Sequence, residues 1–306
     1  MYVASCQIAL LLALLAIFIL ACCLLHDKTA LQNNIMTVNS LFSGKADDDI
    51  PVARAEALPL KSAQYVDPKY DLESQEPIAT VVKEATVIEN LGWDKETRRI
   101  FIRRVYSILA VQLVATFVVG LFMALHQPTH VYVLTHAWPV TLSVLLSFGL
   151  IFALMCMKDK SPQNMYLLAA FTLVEAFMVG TVTTAYAEEN AGVVLEAVFL
   201  TGAIFIGLTV FTFQSKIDFS FLGAFLSMGL GALILWGFFA MIFGVGTGYV
   251  YALAGCIIFS GYILFDTWLI MEKLNPHEYV LAAIMLYLDI INLFLYLLQL
   301  LSHDRR

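Results

Sequence analysis

From Arg98 to the C-terminus the chain is a succession of apolar runs separated by short polar breaks, at roughly 104–125, 133–157, 164–187, 192–213, 219–243, 248–271 and 279–301. At 1.5 Å of helical rise per residue, each run covers the roughly 30 Å hydrocarbon core of a bilayer. A backbone in lipid must satisfy its own hydrogen bonds, and runs this long exceed the length of a barrel strand. The expectation is an all-α polytopic membrane protein, a seven-transmembrane-helix bundle. With 60% of residues hydrophobic and 13% charged, the chain lies outside the balance of a soluble domain. The net charge of −7 resides largely in solvated segments, and no basic arm or aromatic-basic platform suggests nucleic acid. The lipid bilayer is the expected partner. No internal repeat is visible, which argues against the inverted-repeat transporter folds.

Three parts are expected along the chain. Residues 1–25 are a hydrophobic signal peptide or signal anchor, built on the uncharged run 8–25; no Lys or Arg precedes it and no clear cleavage site follows, which favours a retained anchor and an extra N-terminal span. Residues 26–97 form a polar, largely disordered cytosolic segment that includes Asp47, Asp48 and Asp49. Residues 98–306 are the seven-helix membrane domain. Lys and Arg near span ends stay cytosolic. Lys95, Arg98, Arg99, Arg103 and Arg104 precede the first core span, Lys158 and Lys160 follow the second, Lys216 the fourth and Lys273 the sixth, whereas 126–132, 188–191 and 244–247 contain no Lys or Arg. The exception is Arg305-Arg306: either two terminal charges are tolerated outside, or the last helix is re-entrant.

Carboxylates within the spans are the strongest functional signal, because an ionisable group at mid-bilayer costs several kcal/mol. Asp289 lies about ten residues into the last run and Asp266 some six residues from the cytosolic end of the preceding one, at depths of roughly 15 and 9 Å. Side chains on two antiparallel neighbours can bridge that difference. Two carboxylates in a low-dielectric site cannot both ionise cheaply and titrate as a unit. Sharing a proton they hold two helices together; doubly ionised they repel, or attract a hard cation such as calcium, so transient calcium binding by Asp266 and Asp289 is expected. Glu175, mid-way along the third run, and Glu196, near the start of the fourth, are further candidates for a cation path. Asn292 and Tyr262 fall on the same helix faces as the two aspartates and are candidate supporting contacts. Gly223, Gly229, Gly231, Gly255 and Gly261 read as close-packing positions.

Other chemistry is less well supported. His126, His130 and His136 share a loop without a completing carboxylate or cysteine, and Pro128 breaks the helical spacing of the first two. The five cysteines show no paired metal-ligand spacing. The chain has no H-E-x-x-H, nucleophile elbow or P-loop, so neither an enzyme nor a cofactor is expected.

The run LYLDIINLFLYLLQLL, preceded by LFDTWLIMEKLNPHEYVLAAI, resembles the C-terminal signature of the Bax-inhibitor-motif family, in its lifeguard or Golgi anti-apoptotic branch. WDKETRRIFIRRVYSILAVQL resembles that branch's approach to the first span, and GLTVFTFQSKIDFS its stretch after the fourth. The resemblance covers about residues 92–301; the first 91 carry no recognised family pattern. It implies a seven-helix protein of endoplasmic reticulum, Golgi or related membranes, a pH-sensitive calcium leak with calcium as the permeant ion, and protection against cell death. It also implies that Asp266 and Asp289 control closure and that Glu175 is associated with ion flux. Apoptosis regulators and calcium-release channels are the partners it suggests. Bacterial relatives place an arginine beside the aspartate pair, whereas the run 133–157 here contains no basic residue.

Two other function classes remain open. A non-transporting regulator would act through protein partners. An intramembrane aspartyl protease also carries two aspartates on adjacent helices, but Leu286-Tyr287-Leu288 precedes Asp289 where a presenilin-type G-x-G would stand.

Overall fold

The computed structural model describes residues 95–304, apart from 137, 158, 159 and 161. The expected anchor at 1–25, nearly all of the polar segment 26–97, and Arg305-Arg306 lie outside the described residues. Those described are helical, in the order α1 (Lys95–Leu125), α2 (Gln127–Thr135), α3 (Trp138–Cys156), α4 (Gln163–Gln214), α5 (Leu222–Phe243), α6 (Tyr249–Glu272) and α7 (Tyr279–Asp304), with a 3-10 turn at Pro276–Glu278 before the last. All but α2 are long and apolar enough to cross a membrane. The chain is an all-α polytopic integral membrane protein.

α4 has 52 residues, which at 1.5 Å each is over twice the thickness of a hydrocarbon core. Its geometry breaks at Asn190, where φ and ψ are −163° and 100°, dividing it into two lengths that each suffice to span. Asn190 Oδ1 accepts from the backbone N–H of Gly192 at 3.0 Å and steadies the break. The expected loop at 188–191 is therefore one non-helical residue. The second expected span also moves: Val133–Thr135 belong to α2, whose first turn carries Pro128, and α3 begins at Trp138 after extended backbone at His136.

Basic residues gather at one end of the bundle. Arg98, near the start of α1, donates to the carbonyls of Ile270 and Leu274 at the end of α6, at 3.1 and 2.6 Å. Asp218, in the α4–α5 connection, lies within electrostatic reach of Lys273 after α6, and the cation of Arg104 sits 4.7 Å above the Tyr279 ring. At the opposite end, His303 hydrogen-bonds the Thr247 carbonyl in the α5–α6 connection at 3.1 Å. α7 therefore begins at the basic end, runs as one continuous helix and ends at the other. The last helix is continuous over Tyr279–Asp304, and the segment that contains it is long and apolar enough to cross a membrane.

α7 is the axis of the bundle, packed against α1, α4 and α6, while α5 rests on α6 and α3 on α4. Four of the five predicted close-packing glycines act as such: a Cβ would meet Phe265 at Gly223, Ile258 at Gly229, Leu226 at Gly261 and the Tyr296 ring at Gly255. Gly244 ends α5 in the left-handed region, with φ of 64°.

Candidate functional site

The turn between α6 and α7 sets the register of the two aspartates. Asn275 Oδ1 accepts from the N–H of His277 at 3.0 Å, and the N–H of Asn275 donates to Glu278 Oε2 at 3.2 Å, a reciprocal cap that starts α7. The two helices run back antiparallel from this turn. Asp266 and Asp289, 4% and 2% exposed, meet across their interface, close enough for a hydrogen bond between the carboxyl groups. Such a bond requires a proton on one of them. Asp289 Oδ2 remains buried without a hydrogen-bond partner.

The expected supporting residues divide. Asn292 is buried on the same face of α7, but its Nδ2 donates to the Leu288 carbonyl at 2.8 Å, one turn back on its own helix, and its Oδ1 has no partner. Tyr262 is buried one turn along α6 from Asp266, with its ring against Phe259.

Glu175 belongs to a second cluster. It is buried and accepts from the Ser147 hydroxyl at 2.8 Å. It also lies within electrostatic reach of Tyr287, whose hydroxyl is 2.8 Å from that of Thr116. Gln112 donates to Thr172 at 3.0 Å beside them. Tyr287 and Asp289 are two residues apart on α7 and so point to opposite sides of it, since successive residues turn by about 100°. The two acidic sites thus flank the central helix, one toward α6 and the other toward α1, α3 and α4. Glu196 joins neither and is exposed in the second half of α4. Among the described residues, the buried charged groups are Glu175, Asp266 and Asp289; no buried Lys or Arg accompanies them. Arg98 binds backbone carbonyls at the end of the Asp266 helix.

The histidines are engaged locally. His126 Nδ1 is 2.8 Å from the Thr129 hydroxyl, with its ring stacked on Phe122, and His136 stacks on Tyr132.

Sequence reasoning missed the hydroxyl partners of Glu175 and the polar stripe beyond Asn292. Asp289, Asn292, Tyr296, Gln299 and His303 follow one another at intervals of three and four residues, a single face of α7. That spacing was available as a signal.

Residues 98–306 match the family described as Inhibitor of apoptosis-promoting Bax1. Protein lifeguard 4 of Mus musculus is 44% identical over 206 residues, covering 67% of this chain and 85% of the relative. Bax inhibitor 1 of Schizosaccharomyces pombe (strain 972 / ATCC 24843) is 38% identical over 264 residues, 85% of this chain and 96% of the relative. That coverage exceeds the span 98–306, so part of the N-terminal polar segment shares the similarity, which the residues there had not suggested. The Golgi anti-apoptotic protein of Vaccinia virus (strain Lister) is 42% identical over 206 residues, 67% of this chain and 86% of the relative. The membrane bundle with its paired aspartates on the last two helices, and these similarities, place the chain in the Bax-inhibitor family, among relatives that include lifeguard and Golgi anti-apoptotic proteins.

Proposed function

We propose that this protein is a pH-sensitive calcium leak of Golgi or endoplasmic-reticulum membranes that lowers stored calcium and so restrains apoptosis, with Asp266 and Asp289 as its gate. The observation that carries this reading is the meeting of two buried carboxyl groups on the two helices at the heart of the bundle. When they share a proton, the hydrogen bond between them clamps α6 to α7. When both ionise, repulsion at close range in a low-dielectric setting separates them and exposes oxygen ligands suited to calcium. Flux should therefore rise as pH rises. Glu175, on the far side of α7, serves as a second acidic station, and exposed Glu196 as an outer rim charge. The pair performs no covalent chemistry in this reading, and the protein is not an enzyme. Residues 98–306 form the membrane domain, and 26–97 lie in the cytosol.

The names of two relatives support the cell-death part of the reading: one is a Bax inhibitor and the other a Golgi anti-apoptotic protein. Because those names describe suppression of death and no transport, a second reading is a regulator that acts through apoptosis regulators or calcium-release channels without conducting ions.

The experiment is calcium flux into proteoliposomes between acidic and alkaline pH, comparing the unmodified chain with Asp266→Asn and Asp289→Asn. A flux that grows with pH, and whose pH dependence disappears in both variants, supports the gated leak. No flux above empty liposomes from folded protein would sink it. Retained death suppression by the doubly neutralised chain would then identify the regulator.

A further inference from the structure

The interface between α6 and α7 continues past the aspartates toward the end remote from the basic residues, and its character changes twice on the way. Next to the pair it is polar, with Asp289 Oδ2 and Asn292 Oδ1 both buried and without hydrogen-bond partners. Tyr296 follows, about 10 Å further along α7 at 1.5 Å per residue. Its ring is fully buried and stacks on Phe259 of α6 with centroids 5.7 Å apart. It occupies the space that a Cβ on Gly255 would take. The Tyr296 hydroxyl donates to that of Tyr251 at 3.2 Å, and Tyr251 donates in turn to the Leu233 carbonyl of α5 at 3.3 Å. Beyond these rings polarity returns: Gln299 donates to the Thr247 hydroxyl at 2.8 Å, and His303 bonds the Thr247 carbonyl.

We propose that Phe259, Tyr296 and Tyr251 form an aromatic constriction that closes the α6–α7 seam between the aspartate pair and the non-cytosolic surface, making them a second gate on the cation path. The assignment rests on the leak reading, because a constriction has work to do only where something passes. A close-packed aromatic neck between two polar clusters excludes water and hydrated ions without needing a charge. Its moving part is the Tyr296 ring, which seats in the recess left by Gly255 and is held there by one hydroxyl chain reaching α5. Rotation of that ring off Gly255 would join the outer polar cluster to the unpartnered oxygens of Asn292 and Asp289. The unmet hydrogen-bonding capacity of those two atoms is what water or a cation would satisfy on arrival, since buried polar atoms without protein partners are commonly satisfied by water or an ion.

The constriction is tested by accessibility, independently of calcium flux. In a full-length chain whose five cysteines are replaced by alanine, Asn292→Cys is exposed to a charged, membrane-impermeant thiosulfonate from the non-cytosolic side of sealed vesicles. Modification should be slow with Tyr296 in place and only modestly faster in Tyr296→Phe, which keeps the ring but loses the hydroxyl that ties it to Tyr251. It should accelerate at least about tenfold, the effect of lowering a barrier by roughly 1.4 kcal/mol, in Tyr296→Ala. Gly255→Ala retains the tyrosine but denies it the recess, and should accelerate modification in the same direction; it carries the test should Tyr296→Ala not fold. Equal rates across folded variants, or rapid modification with the native ring present, overturn the constriction. If the accessibility pattern appears while unmodified protein passes no calcium at any pH, the gate stands and the leak reading falls. If pH-dependent flux appears without the accessibility pattern, the leak stands and the gate falls.

Discussion

α5 and α7 are alike in hydropathy and opposite in surroundings. The most apolar windows of the two segments have mean hydropathies of 2.1 and 2.2, yet 28% of the α5 window is buried within the protein against 89% of that of α7. Water cannot explain the difference, since both helices leave it on entering lipid. What separates them is their polar content. α5 holds one hydroxyl, Ser227, which folds back onto the Gly223 carbonyl at 2.8 Å. α7 carries Tyr287, Asp289, Asn292, Tyr296 and Gln299, none of which lipid can satisfy. Polar side chains therefore sort the helices: a span rich in them must be enclosed by its neighbours, and one without them can stand at the rim. The enclosed helix is where chemistry can be built.

Truncating one side chain on each helix is the strongest way to break this comparison. Tyr287→Ala removes a fully buried ring and the hydroxyl that meets Thr116, and should destabilise the bundle by about 3–5 kcal/mol. Leu235→Ala, on an α5 residue 73% exposed toward lipid, should cost less than about 0.5 kcal/mol. Denaturant unfolding in detergent micelles measures both, and comparable losses would refute the division into axis and rim. Arg98→Gln comes next. Its guanidinium ties the start of α1 to the end of the Asp266 helix through two carbonyls, and charge-assisted bonds of this kind contribute roughly 1.5–3 kcal/mol. The same unfolding assay should register a loss in that range, smaller than that from Tyr287.

The same contrast explains what could be read from the chain unaided. The spans were legible because lipid imposes length and hydropathy on every crossing segment. The pairing of Asp266 with Asp289 was legible because a short turn joins two long runs, which fixes their antiparallel register. The centrality of α7 was not, because hydropathy is blind to whether an apolar surface faces lipid or protein. The setting of Glu175 was also hidden: its Ser147 partner is 28 residues away, and the Tyr287–Thr116 bond beside it joins residues 171 apart. Glu196 was grouped with the path by its place in an apolar run, but the side of α4 on which it lies is decided by tertiary packing. Arg98 was counted for topology alone, since its acceptors are backbone carbonyls, which leave no mark in sequence.

Glu175 offers a finer probe of the enclosed region. Glu175→Gln keeps a carbonyl oxygen for the Ser147 hydroxyl and should leave unfolding nearly unchanged. Glu175→Leu removes the acceptor. Ser147 can turn back to a carbonyl one helical turn earlier, so the loss should sit near the low end for a buried unsatisfied hydroxyl, about 1 kcal/mol. Equal and substantial penalties for Gln and Leu would mean that the charge, which both remove, anchors this cluster rather than the hydrogen bond.

A small, pH-dependent effect is expected at the connection that carries the rim helix. Asp218, in the turn between α4 and α5, accepts from the N–H of Ser220 at 2.9 Å. That bond, with help from the Lys273 cation, holds its carboxyl below the usual carboxylate range, although the group is fully exposed. A depressed value in the folded state means that the ionised form favours folding at neutral pH and that this contribution fades only as pH falls below about 4, through the folded-state value. Asp218→Asn should thus lower the thermal midpoint slightly at pH 7, less than Tyr287→Ala, Arg98→Gln or Glu175→Leu, and the gap to the unmodified chain should close toward pH 3. A gap that persists at pH 3 would show that the loss does not come from the missing charge, and that ionisation of Asp218 is not what steadies the turn leading into α5.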